Sequence, residues 1–187
     1  LIDRLISAIR SEGLTVGVIC VDPSSPVTGG AVLGDRIRME RHYSDEGVFI
    51  RSMASRGEQG GVAKVVGAAV ELLGACGRDV VIVETVGVGQ EGIEVTRLVD
   101  VTVLVLEPGS CDGMQLMKAG ILEVADVVVV NKSDLGHGGS AEGIREILSA
   151  GKRERRQPVV ETEAVNDVGV DVLWREVKAV DDERRRS

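Results

Sequence analysis

The segment Asn131-Lys132-Ser133-Asp134 directly follows an apolar run at residues 126–130. A purine such as guanine carries an N1–H and an exocyclic 2-amine along one edge, two donors side by side. The Asp134 carboxylate can accept from both in one charge-assisted contact. Adenine presents an acceptor at N1, so the same carboxylate repels it and selects by mispairing as well as by pairing. Asn131 would then face O6 and N7 and tie adjacent loops, with the Lys132 stem packed beneath the ring. The plainer reading is a polar turn after a strand, which these residue types often form. A position after a buried strand favours the base-reading alternative.

A second group is Glu84-Thr85-Val86-Gly87-Val88-Gly89-Gln90, after the apolar run at residues 79–83. Nucleotide hydrolases hold Mg2+ with an acidic side chain at a strand end, often through a bound water. Gly87 and Gly89 let backbone N–H groups approach a terminal phosphate and move once it leaves. A carboxylate opening a tight loop is the alternative. Asp22, in Val21-Asp22-Pro23-Ser24-Ser25, and Asp35, in Leu33-Gly34-Asp35-Arg36, are further carboxylates in or beside a Gly/Ser/Pro loop after a strand. With Glu84 they make an all-oxygen set suited to a hydrated Mg2+. Equally, Asp22-Pro23 is a turn and Asp35 caps the helix that follows, and spacing alone leaves both open.

The loop at residues 108–115 leads into Lys118. Gln115 and Lys118, three apart, share one helical face, either as a functional pair or as a solvated helix start. His42 and His137 have no partner at metal-ligand spacing and read as surface or loop residues. Trp174 reads as core packing. The basic clusters Arg153, Arg155, Arg156 and Arg184, Arg185, Arg186 read as solvated surface.

Elements must hold these residues in place. Leu1, Leu5 and Ile9, with Ile2 and Ile6 beside them, keep helical spacing until Gly13. Short apolar runs predict strands over residues 15–21, 48–51, 79–83, 101–106, 126–130 and 158–161. Helices are predicted over residues 33–43, 62–76, about 91–98, 114–124 and 169–180, with a Gly-rich loop at 136–139. This alternation predicts an α/β fold, an open parallel sheet with helices on both faces. Ligands of such sheets bind beyond the carboxyl ends of the strands, where Asp22, Glu84 and Asn131 are expected to fall.

The composition agrees. Of 187 residues only 2% are aromatic, so Val, Ile, Leu and Ala must build the core, a bias that suits a sheet buried on both faces. A net charge of -8 argues against a nucleic-acid surface. Cys20, Cys76 and Cys111 show no CxxC spacing and predict reduced thiols in a cytoplasmic protein. No apolar run reaches the length of a membrane span. The first residues predict an amphipathic helix rather than a signal peptide, and without an initiator Met the chain is expected to begin inside a longer protein.

Several stretches together resemble the methylmalonyl-CoA mutase-associated GTPases (MeaB/ArgK type), a metallochaperone branch of the P-loop GTPases. They are VDPSSPVTGGAVLGDRIRMER, FIRSMASRGEQGGVA, VETVGVGQ, DGMQLMK with its continuation AGILEVADVVVVNKSD, and a degenerate GVDVLW. The likeness spans essentially the whole chain with its motifs in order. It implies a P-loop NTPase-like G domain over residues 1–180, with residues 181–187 starting a C-terminal extension. It implies GTP as substrate, hydrolysed to GDP and phosphate, and Mg2+ as cofactor. Asp22, Asp35 and Glu84 would lie around the metal and the γ-phosphate, with Gly87 beside them. Gln115 and Lys118, with Asp112, would belong to an additional switch that couples hydrolysis to a partner. Asn131, Lys132, Asp134 and Ala164 would contact guanine. The implied partner is an adenosylcobalamin-dependent acyl-CoA mutase whose cofactor loading is gated and protected. The full-length protein is expected to be a cytoplasmic homodimer that binds neither nucleic acid nor membrane.

The chain departs from that pattern in places. Relatives carry GxxGxGKST before the position of Leu1, so the expectation is a truncated G domain whose first, P-loop strand is missing. Such a chain is expected to bind GTP weakly or not at all and to fold marginally. Glu163-Ala164 stands where relatives often have Ser-Ala, and Glu58-Gln59 where a less acidic pair is expected. A helical dimerisation arm is expected after Trp174, and the expectation is that it is cut off near Ser187. Alternatives are a catalytically inactive mutase-binding module, a regulator of arginine/ornithine transport, or a nickel- or cobalt-insertion GTPase. Members of the last group usually carry Cys/His clusters that this sequence lacks.

Overall fold

The computed structural model describes residues 1–22, 38–54, 61–85, 95–108, 121–135, 140–150 and 157–186. They form two compact units, Ile6–Val99 and Leu1–Leu5 with Asp100–Ser187. Each is built on a three-stranded parallel sheet.

In the unit Ile6–Val99, strand β1 (Val16–Asp22) is central, between β2 (Val48–Ala54) and β3 (Val80–Thr85). Successive residues of a strand face opposite sides, so an apolar strand needs cover on both. Ile19 and Val21 pack with Val66 and Leu73 of helix α2 (Gly61–Ala75), alongside Met53, Val81 and Val83. The alternate residues Val16, Val18 and Cys20 are fully buried as well. Helix α1 (Ile2–Ser11) contributes buried Ile6 and Ile9 to this unit.

Polar contacts pin the amino ends of these strands. Asp79 Oδ2 accepts from the Thr15 backbone N–H at 2.8 Å and from its hydroxyl at 2.7 Å. These two bonds hold the Asp79 carboxyl below the usual carboxylate range. Arg10 makes a two-pronged contact with Asp45, Nε to Oδ2 at 2.8 Å and Nη2 to Oδ1 at 2.9 Å. The guanidinium, followed by the Gly47 N–H, lowers the Asp45 pKa. A carboxyl whose pKa is lower folded than unfolded gives stability that is present above about pH 4 and lost as pH falls through the folded value. Asp45→Asn is therefore expected to melt below wild type at pH 7, with the gap closing on acidification below pH 4. A gap of constant size down to pH 2.5, followed by circular dichroism, would contradict this account of the pair.

In the other unit, β5 (Val127–Asn131) is central, between β4 (Val103–Leu106) and β6 (Val159–Thr162). Val128 and Val130 pack on one side with Leu104, Leu106, Leu122 of α3 (Ile121–Val124), and Ala141 and Ile144 of α4 (Ser140–Ala150). Val127 and Val129 pack on the other side with Val160, Leu1 and Leu173 of α5 (Val170–Arg186). This sheet thus has helices on both faces. Arg184 of α5 donates to the Asp100 carbonyl and to Asp126, whose other oxygen accepts from the Thr102 N–H at 2.8 Å. Trp174 is buried in the core.

Several expectations change. All four ladders are parallel, but among the described residues they form two three-stranded sheets rather than one, because no ladder joins β3 to β4. Helix α4 was not anticipated. Of the helix predicted over residues 33–43, only 38–43 are described, and there Glu40–His42 forms a 3-10 turn. His42 is buried, not at the surface. Arg184 is engaged by Asp126 rather than merely solvated. Helix α5 runs unbroken through Val180 to Arg186. Among the described residues no helix is long and apolar enough to cross a membrane.

Candidate functional site

The carboxyl ends of β4, β5 and β6 bring a connected set of polar groups together. Asn131 is the last residue of β5, and register pairs it with Thr162, the last of β6. The Thr162 hydroxyl, fully buried, donates to Asn131 Oδ1 at 3.0 Å. The Ala164 N–H reaches the same oxygen at 3.4 Å. With Oδ1 committed to two donors, the Asn131 amide nitrogen must be the other terminal atom, a donor with no acceptor among the described residues.

Lys132 turns the chain away from the strand with a left-handed backbone, φ 63°, a conformation that disfavours side chains other than Gly, Asn and Asp. Its ammonium meets Glu107, just past β4, at 2.5 Å. The turn leads into a 3-10 helix, Ser133–Leu135, in which Ser133 Oγ donates to the Thr162 carbonyl at 3.3 Å. Asp134, next in line, is exposed. The loop after β6 is closed by reciprocal backbone bonds between Glu163 and Val168, and Asn166 Nδ2 donates to Glu163 Oε2 at 3.2 Å. From helix α1, Arg4 donates through Nε to the Ala164 carbonyl and through Nη2 to the Val165 carbonyl, both at 3.1 Å. Gly169 ends the loop with φ 76°, and a Cβ there would stand 2.2 Å from the Glu161 carbonyl oxygen.

In the other unit, Asp22 is the final residue of β1 and Glu84 the penultimate residue of β3. Register sets Glu84 opposite Cys20, two residues before Asp22, so both acidic positions share the carboxyl edge of one sheet. Glu84 is half-buried. Asp22, Glu84 and Asn131 therefore lie in the last residues of strands rather than beyond them, where ladder bonds fix the backbone. Oxygen donors on neighbouring strand ends fit a hard divalent cation such as Mg2+. Asp35, Gly87, Gln115 and Lys118 lie outside the described residues.

Comparison with known proteins gives this geometry a context. The family model described as methylmalonyl Co-A mutase-associated GTPase MeaB matches residues 1–186. The chain belongs to that family. A provisionally named GTPase of Pyrococcus abyssi is 50% identical over 185 residues, covering 95% of this chain and 57% of that protein. GTPase ArgK of Escherichia coli is 42% identical, over 87% of this chain and 51% of that protein. The mouse methylmalonic aciduria type A homolog, mitochondrial, is 37% identical, over 89% and 42%. The chain thus spans about half the length of the curated relatives it matches. Among solved structures, HypB from Helicobacter pylori in complex with nickel superposes with a TM-score of 0.69 at 14% identity, over 97% of this chain and 81% of that one. HypB from Archaeoglobus fulgidus gives 0.64 at 18%, over 96% and 82%. At such identities the likeness shows the fold alone, an α/β fold with parallel strands.

Within this MeaB-family chain, sequence reasoning missed Thr162, Glu107, Arg4 and Gly169. Thr162 had a legible signal, a hydroxyl closing an apolar strand. Arg4 had none, because its partners lie some 160 residues away.

Proposed function

We propose that this chain is the base-reading and switch portion of a GTP-binding, GTP-hydrolysing protein. In this reading it assists an adenosylcobalamin-dependent methylmalonyl-CoA-type mutase in cofactor loading and protection. The observation that carries the reading is the Asn131–Thr162–Ala164 network beside exposed Asp134. It presents three groups to a guanine edge. The Asn131 amide nitrogen donates to N7, the Ala164 N–H shares its long 3.4 Å bond to Asn131 Oδ1 with O6, and the Asp134 carboxylate accepts from N1–H and the 2-amine. Membership in a family named for its association with methylmalonyl Co-A mutase supports the partner.

Hydrolysis transfers the γ-phosphoryl group to water. The bond from the γ-phosphorus to the β,γ-bridging oxygen breaks, and GDP, phosphate and a proton result. Asp22, Asp35 and Glu84 would hold Mg2+, which when bound neutralises phosphate charge. The backbone at Gly87 would approach the γ-phosphate. Gln115 and Lys118 would carry the change of state to the mutase, and the full protein would act as a cytoplasmic homodimer. Catalysis rests on positioning rather than on a covalent intermediate.

The test is equilibrium binding of labelled GTP and ATP, with Mg2+, to the full product of the gene, followed by phosphate release with and without the mutase. GTP should bind at least about a hundredfold more tightly than ATP, the yield of roughly 3 kcal/mol from two charge-assisted contacts. A folded product that binds neither nucleotide would replace this reading with that of an inactive mutase-binding module.

A further inference from the structure

We infer that Arg4 is a positioning residue that sets how tightly the site grips the O6 edge of guanine; the inference rests on the base-reading role just proposed. The loop after β6 carries a backbone donor of the network, the Ala164 N–H. The peptide that contains this N–H is held at the Glu163 carbonyl, which accepts from the Asn166 and Val168 N–H groups at 3.0 and 3.2 Å, so the question is what holds the two peptides that follow. Val165 is 80% exposed, so apolar burial does not anchor it. The Glu163–Val168 bonds close the base of the turn but leave the carbonyls of Ala164 and Val165 outside that closure. Both carbonyls are taken by one guanidinium, Nε on the first and Nη2 on the second. A planar fork on two successive carbonyls restrains both peptides that follow Ala164, which a single-point donor cannot do at once. Those restraints limit rotation about the Ala164 backbone and so reinforce the direction of its N–H, which lies in the preceding peptide.

Guanine analogues separate this contact from the one made by Asp134. GDP and 6-thio-GDP differ at position 6, where sulfur is the weaker acceptor, and both keep N1–H and the 2-amine. GDP and IDP differ only at the 2-amine. The full product of the gene, wild type, Arg4→Met and Arg4→Lys, is titrated with all three. Met keeps the apolar stem without donors, and Lys restores charge with a single ammonium. Arg4→Met should weaken GDP about tenfold, the scale of one lost hydrogen bond. The ratio of GDP to 6-thio-GDP affinity should shrink toward one, and the ratio of GDP to IDP should stay as in wild type. Arg4→Lys should fall between Met and wild type.

A wild-type GDP affinity retained by Arg4→Met overturns the inference. So does a loss in which the GDP to 6-thio-GDP ratio is unchanged, because a generally loosened fold would give it. A wild-type protein with no preference among GDP, IDP and ADP overturns the guanine reading itself, a result distinct from either of these.

Discussion

Replacing Asp134 by Asn should move the protein's preference from guanine to xanthine nucleotides. In guanine, positions 1 and 2 both donate, and a carboxylate accepts from both. Xanthine keeps N1–H but carries a carbonyl at position 2, which a carboxylate repels. A side-chain amide matches xanthine instead, its oxygen accepting from N1–H and its NH2 donating to the new carbonyl. Against GTP the same amide sets a donor against the 2-amine, itself a donor, and forfeits two charge-assisted bonds. Each such bond is worth about 1.5–3 kcal/mol, so GTP affinity should fall on the order of a hundredfold or more. Asp134 is exposed on a short 3-10 turn, so the change should leave the melting temperature close to wild type. Competition of XTP and GTP for the full gene product measures the switch. A folded Asp134→Asn protein that still selects GTP would remove Asp134 from the site.

The second large effect concerns Gly169. At φ 76° a side chain is disfavoured by about 1–2 kcal/mol, and the added Cβ would overlap the Glu161 carbonyl oxygen at 2.2 Å. That oxygen belongs to β6 and cannot move aside as a flexible side chain would. Gly169→Ala should therefore cost roughly 3 kcal/mol or more and lower the melting temperature by about 6–12 °C. The displacement falls on the loop that carries Ala164, so guanine selectivity should weaken with it. Gly143→Ala is the control, since its Cβ enters open space on α4 and should be neutral or slightly stabilising. A Gly169→Ala protein melting within a degree of wild type would show that the loop reaches its shape another way.

The strands were largely legible because each is a short apolar run bounded by polar or turn residues, as at residues 127–130. Asp22, Glu84 and Asn131 could be placed at strand ends on the same grounds. Helix α4 was not legible, although Ala141, Ile144 and Leu148 recur at helical spacing, since the glycines at 136–139 invite a reading as loop. The 3-10 turn at Glu40–His42 shows the opposite error, charged residues taken for helix where the chain makes one tight turn and buries His42. The side chains that organise the carboxyl edge of β5 and β6 were the hardest to foresee. Thr162, Glu107 and Arg4 matter through partners brought close only by the fold, and no local pattern encodes a contact between Arg4 and Ala164.

None of the four described ladders is a hairpin. Val16 pairs with Val48 and with Val80, Val103 with Val127, and Val128 with Val159, each across a long excursion of chain. Closing such loops costs entropy before any pairing repays it, and proteins dominated by distant pairings reach their native state slowly. The groups proposed to read the base inherit that order of events. Asn131 can meet Thr162 only after β6 has docked on β5, so nucleotide recognition should appear late in refolding, as one of the last things the chain acquires.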